Sequence, residues 1–294
     1  MSSKREERKK AKMIEKMEAE TCEYNKVKKP TNVVLNVLLA VMSLISILPF
    51  IFVVIISLTD EQTLAMNGYQ FVPEKLSLYA YHYIISAGEN ILRSYGVTIL
   101  VTIAGTVIGL FLTGTYAYAL SRKTYAFKKF FTTVITIPML FSGGMVANYL
   151  IVTKVLMLKD SIWALILPLC LNTFNVIVLR TFFKTTIPDS VVESAKIDGA
   201  SPVQSFFKIT VPLLKPTILL TTIMSTNGTL QLFDESLNLT NGGPGKSTMT
   251  LSHYIYNTSF VQSPNFGYAA AMSIIVLIMV AILAVIQMKV GDER

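Results

Sequence analysis

The sequence predicts an all-helical polytopic membrane protein with six transmembrane helices. Three observations predict it. Of 294 residues, 52% are hydrophobic and only 15% charged, where a soluble domain carries about 25% charged residues. The apolar residues fall into long blocks, and no Asp or Glu interrupts any of them. The mean hydropathy of +0.54 agrees.

A membrane-crossing helix takes about 20 residues, and six blocks supply them: 33–58, 94–120, 130–152, 161–183, 211–233 and 267–288. The first follows a charged tail, residues 1–30, and at roughly 26 residues it exceeds a signal-peptide core. A cleavable leader is therefore not expected. The third holds Pro138, Gly143 and Gly144, which either distort it or permit close packing. The fifth is the weakest, rich in Thr and punctuated by Pro212, Pro216 and Gly228. An acidic side chain at a helix centre costs about 2.5–3.5 kcal/mol on insertion scales, so the empty blocks support one another as spans.

Positive charge sets the orientation. Of the 26 Lys and Arg, ten lie in the tail, four in 121–129, five in 180–215 and two at the C-terminus. The alternate connections hold only Lys75, Arg93, Lys154, Lys159 and Lys246. Both termini and the Arg122–Lys129 loop are expected in the cytoplasm. The formal charge of +8 is thus topological and does not indicate a nucleic-acid partner. Cys22 and Cys170 sit in different environments and make no disulfide framework. With His82 and His253 they form no metal cluster either.

Residues 185–210, between the fourth and fifth spans, are the most informative. Ser190 and Glu193 have capping-box spacing, and Gly199 sits where a helix ends in a left-handed residue. Ser201, Pro202 and Gln204 repeat the start signals. Two short helices at an angle are expected, the second running through Phe206 and Phe207 to Pro212. From the residues alone, this unit either docks a cytoplasmic subunit through an edge of Val191, Val192, Ala195 and Ile197 or lies on the membrane as a re-entry hairpin.

The loop resembles the EAA loop of inner-membrane subunits of bacterial ATP-binding-cassette importers. Glu193-Ser194-Ala195, Gly199 and Ile209-Thr210-Val211-Pro212 follow its spacing, with Ser194 and Val211 as departures. ESAKIDGAS, VPLLKP, LILP, LRTFFKTTIPDS and NFGYAAAMS are similar to the carbohydrate branch, the maltose and multiple-sugar permeases. The resemblance implies a type I importer permease fold over residues 31–294, with 185–210 as the ATPase-coupling loop. It implies coupling roles for Glu193, Ser194, Ala195, Asp198, Gly199 and Pro212. Glu193 would make polar contacts with the ATPase, Ala195 would permit close approach, and Gly199 would make the turn. The implied partners are a second homologous permease, two cytoplasmic ATPase subunits, an extracytoplasmic solute-binding protein and a carbohydrate substrate. The implied location is the bacterial cytoplasmic membrane. Neither catalysis nor a cofactor is expected of the chain itself.

TNGGPGKS, residues 240–247, nearly spells a phosphate-binding loop, but Thr240 replaces the first Gly and Pro244 removes an amide donor. It reads as an external turn. Polar residues within the spans suggest a pathway for neutral hydroxyls: Asn172, Asn175 and Asn148, and the stripe Thr217, Thr221, Ser225 and Thr229. Helix–helix hydrogen bonding explains each equally. The alternatives are a permease for glycerol phosphate or polysaccharide fragments or, in another class, an ATP-independent secondary carrier or channel. Intramembrane carboxylates, which would favour a coupled carrier, are missing from the blocks.

Overall fold

The computed structural model describes residues 28–86, 89–122, 125–187, 189–261 and 265–292. The tail expected over residues 1–30 lies almost wholly outside them. The described residues are helical, apart from turns and one isolated bridge between Thr59 and Leu76. The chain divides into a unit ending at Val53 and a unit from Val54 onward.

Helix α1, Lys29–Ser57, begins in the first unit, where its apolar side chains are exposed. In the second unit α2 is Glu61–Asn67, α3 Tyr79–Ser86 and α4 Glu89–Ser121. Next come α5, Lys128–Leu140, and α6, Gly144–Leu150, which a π-turn over Ile151–Val155 extends. Helix α7, Trp163–Ile166, continues as a 3-10 turn over Leu167–Leu169 and precedes α8, Thr173–Thr186. Helices α9, Asp189–Ile197, and α10, Pro202–Ser205, form the loop unit. A π-turn over Phe206–Thr210 leads to α11, Val211–Leu213, and then α12, Lys215–Leu230. After a π-turn over Ser236–Thr240 come α13, Leu251–Tyr256, and α14, Phe266–Asp292.

The six expected spans are not six unbroken helices. By length and composition, α1, α4 and α14 each suffice to cross a bilayer. The fourth and fifth blocks are bent pairs: Trp163–Leu169 with Thr173–Thr186 at 41°, and Val203–Leu213 with Lys215–Leu230 at 74°. The third block is split between α5 and Gly144–Val155.

Each break has a local cause. In the third block Gly144 takes φ +73°, a left-handed geometry open to glycine, and its amide donates to Ser142 Oγ at 3.2 Å. In the fourth, Pro168 sits in the 3-10 turn and Asn172 begins a new helix, its Oδ1 accepting from the Asn175 amide at 3.2 Å. In the fifth block the longer helix, α12, starts at Lys215, after the bend that follows Leu213. Pro212 has no N–H, and its ring crowds the carbonyl four residues back. Just ahead of it the helix widens into the π-turn, with the Val211 amide reaching Phe206 O. Pro216 lies in the first turn of α12, where the missing donor costs little.

Helix α4 is the central post, packed along α8 and α12. At Gly109 a Cβ would stand 3.3 Å from Cys170 O, so a glycine lets α4 approach the fourth-block break. One apolar cluster joins Ala117, Leu120, Ile135, Val176, Leu179, Phe183, Ile187 and Leu214. A second joins Val97, Val101, Leu165, Ile166, Cys170 and Leu232. Helix α14 begins with two caps: Asn265 Oδ1 accepts from the Tyr268 amide at 3.0 Å, and the Glu61 carboxylate accepts from the Phe266 and Gly267 amides before it.

Candidate functional site

The loop unit is built from two caps placed back to back. Helix α9 starts at Asp189, so Ser190 is already helical and the expected capping role at that position is not taken. The C-terminus follows expectation. Gly199 has φ +83°, its amide donates to Lys196 O at 3.1 Å, and the Ala200 amide donates to Ala195 O at 2.9 Å. This pair of bonds is a Schellman cap. At once the second start forms as read: the Ser201 amide donates to Gln204 Oε1 at 3.0 Å and the Gln204 amide to Ser201 Oγ at 3.2 Å. The reciprocal bonds satisfy helix-end amides without help from another element.

Helix α9 has two faces. Val192 packs on the cluster of Leu179, Phe183 and Leu214, and Ala195 is 7% exposed. Glu193, Ser194, Lys196, Asp198 and Gly199 are exposed, with Ile197 at 85% the most prominent apolar side chain of the turn. The apolar edge read as one surface is therefore divided: Val192 and Ala195 fasten the helix, while Val191 and Ile197 face outward. The small side chain of Ala195 is used for approach within this chain. Beyond the turn, Phe206 meets Tyr118 edge-to-face at 5.1 Å, and Tyr118 meets Phe183 at 5.5 Å. The Arg122 guanidinium lies 4.4 Å from the Tyr118 ring. The second short helix is thus keyed to the ends of α4 and α8. Pro212 is exposed in α11.

The polar residues within the spans lie elsewhere. Asn172 is exposed and caps α8, and Asn175 is buried. Thr221 is buried, with its hydroxyl on Thr217 O and Ile218 O at 3.1 and 2.9 Å. Thr229 is also buried, bonded to Ser225 O and Thr226 O at 3.0 and 3.1 Å. Ser225 is half-buried. None of the five lines a cleft of about 690 Å³ between the third-block break and Asp234–Leu239. Asn148, Pro138, Gly143 and Gly144 do line it.

The turn at 240–247 folds on itself. The amides of Gly242, Gly243, Ser247 and Thr248 donate to Ser236 O, Thr240 O, Pro244 O and Gly242 O. These donors are already committed, and the element before the turn is a helix, unlike the strand of a phosphate-binding loop. The turn covers a buried polar network. Ser236 Oγ donates to Thr248 O at 2.8 Å, lies 2.9 Å from His253 Nδ1, and accepts from the Thr250 amide at 3.2 Å. Burial lowers the pKa of His253 from its ordinary value.

Sequence reasoning missed Asp234 and Glu235, which lie just past the fifth apolar block. Burial raises the pKa of Glu235, and the charge of Asp234 adds to the effect. Their acidity beside a Gly-broken helix was a readable signal. It also passed over Glu61 as a cap, because its partners lie some two hundred residues away. Among the described residues, no group of three or more His, Cys, Asp or Glu could hold a metal ion.

Known proteins are similar to this chain in sequence and in fold. Over 174 residues the chain is 42% identical to protein LplC of Bacillus subtilis (strain 168), covering 59% of this chain and 58% of that protein. Over 180 residues it is 42% identical to the polygalacturonan/rhamnogalacturonan transport system permease protein YtcP of the same organism, covering 61% and 62%. Over 144 residues it is 45% identical to the lactose transport system permease protein LacF of Rhizobium radiobacter, covering 47% and 48%. Each match spans less than two thirds of the relative's length. A solved bacterial ABC transporter involved in the import of the acidic polysaccharide alginate has a chain of the same fold, with a TM-score of 0.78 at 23% identity, covering 90% of this chain and 98% of that one. Residues 105–291, more than half of the sequence, match the binding-protein-dependent transport system inner membrane component, and the chain belongs to that family.

Proposed function

We propose that this chain is the permease subunit of an ATP-driven importer that moves sugars or oligosaccharides across the cytoplasmic membrane. It pairs with a second, homologous permease. Of two cytoplasmic ATPase subunits, one grips the 185–210 loop, and an extracytoplasmic binding protein delivers the solute. The chain itself performs no covalent chemistry. ATP-driven closure of the motor favours one of two permease arrangements over the other, and that differential stabilisation moves the solute.

One observation carries the reading: a doubly capped turn at Gly199 whose inner face is packed into the bundle and whose outer face is free. Glu193, Ile197 and Asp198 on that outer face are the proposed contacts with the ATPase, an apolar knob flanked by two acids. Glu193, Ser194 and Asp198 supply polar contacts, Ala195 and Gly199 shape the helix and its turn, and Pro212 sets where the loop re-enters the bundle. The positive-charge distribution supports a cytoplasmic loop, with both termini on the same side and the 240–247 turn outside. Asn172, Asn175, Thr221, Ser225 and Thr229 retain a proposed role along the inner pathway; α12 is where the second permease would complete it.

Purification of the tagged chain from its native membrane tests this. The expected result is co-purification of an ATPase and a second membrane subunit, with ATP-dependent accumulation of a neutral oligosaccharide in vesicles. A lone protein that lets solute run down its gradient without ATP would overturn it.

A further inference from the structure

We propose that the cleft between the Ser142–Gly144 break and Asp234–Leu239 is a receiving site for glycan without acidic groups, and that Asp234 and Glu235 are its specificity determinants against uronates. The inference rests on the importer reading and adds a substrate class to it.

The cleft of about 690 Å³ is in the range that holds a small ligand. Its lining includes Phe141, Ser142, Asn148, Asp234, Glu235 and Asn238 and, among the described residues, no lysine or arginine. That set matches a neutral sugar. Carboxylates accept from hydroxyls, and charge-assisted bonds are the stronger kind; amides and a hydroxyl can both give and accept. Phe141, 73% exposed at the break, offers an apolar face to a sugar ring. Asn238 is held beside the pair, its side-chain amide donating to Asp234 O at 2.8 Å.

The same lining repels an anion. A uronate entering here meets two acids and, among the described lining residues, no cationic side chain, and like charges brought together without a partner disfavour the complex. The break itself opens the space, since Gly144 at φ +73° turns the chain where a continuous helix would fill it. By the charge distribution, this end of the bundle faces the exterior, where a binding protein would release its load.

The test uses the assembled importer in nanodiscs without its binding protein, so that delivery does not select the solute. A Ser142→Cys substitution, in a Cys22→Ser background, reports occupancy through its rate of labelling by a polar maleimide. Probes are neutral gluco- and galacto-trisaccharides and trigalacturonate. At least one neutral probe is expected to slow labelling, and trigalacturonate is not. In the Asp234→Asn, Glu235→Gln double variant, protection by trigalacturonate is expected to rise by roughly tenfold or more relative to the neutral probe. Equal protection by trigalacturonate before the change, an unaltered ratio after it, or protection by none of the probes overturns the site. If the complex, returned to sealed vesicles with its binding protein, accumulates none of these or other solutes with ATP, the importer reading itself fails, and the receiving site with it.

Discussion

Glu61 and Gly267 are joined across the chain: the Gly267 amide donates to Glu61 Oε2 at 2.9 Å, and the neighbouring Phe266 amide donates to Oε1 at 3.1 Å. A carboxylate there satisfies two of the open amides of α14 and faces the positive end of its dipole. It also ties the segment after α1 to the start of the last helix.

Glu61→Ala is expected to lower stability by about 1–3 kcal/mol, since two amides lose an ionised acceptor. Gly267→Ala is expected to cost a similar amount by a different route, because its Cβ would stand 2.6 Å from Oε2 and displace the carboxylate. Both changes remove one interaction, so the double variant should fall well short of the sum. Thermal unfolding of the four proteins in detergent measures this. Full additivity would show that the two residues act separately.

At Gly199 the constraint is conformation rather than space. Nothing lies within 4 Å of an added Cβ, yet φ is +83°. Gly199→Val should lose ATP-driven transport and ATPase co-purification while remaining in the membrane, because a branched residue strongly resists this geometry. Gly199→Asn, which tolerates it, should keep most of both. Equal loss from the two substitutions would point to side-chain size instead.

Ser236 serves three partners, so Ser236→Ala should cost about 1–3 kcal/mol by leaving buried groups unpaired. With the Ser236 proton on Thr248 O, His253 Nδ1 is the donor in their bond. Burial disfavours the charged imidazole in the folded state. The unfolded chain takes up a proton more readily near pH 6.5, so stability should be full above that value and decline as the pH falls below it. In His253→Gln that part of the slope should disappear. Midpoints measured between pH 5 and 8 report it.

Glu235 behaves oppositely. Its raised pKa means that the folded state holds a proton more readily than the unfolded chain. The penalty for the buried charge is present at neutral pH and vanishes as the pH drops below the ordinary 4.5. Glu235→Gln should therefore raise the unfolding midpoint at pH 7, with the gain shrinking toward pH 4. A constant difference across that range would mean the substitution acts through packing.

The apolar blocks were legible because burial in lipid admits few compromises, and the loop at Gly199 because caps and left-handed turns are local chemistry. The Ser201–Gln204 box and the Gly199 cap follow from residues within five positions of each other. The breaks were legible only in part. Pro138 and Gly144 announce a distortion, whereas the Leu214 joint depends on how the π-turn relieves Pro212. Ser190 misled because Asp189 starts the helix one residue earlier. Asp234 and Glu235 were legible as acids at the end of a span but not as the wall of a cleft, and Glu61 escaped because its partners come from a distant segment that no periodicity records.

The threonines of α12 suit a moving part. Thr221, Thr222 and Thr229 turn their hydroxyls back onto carbonyls of their own helix, so the flank toward α4 is polar in composition but greased in practice. Sliding that rod against the central post would rupture none of those bonds.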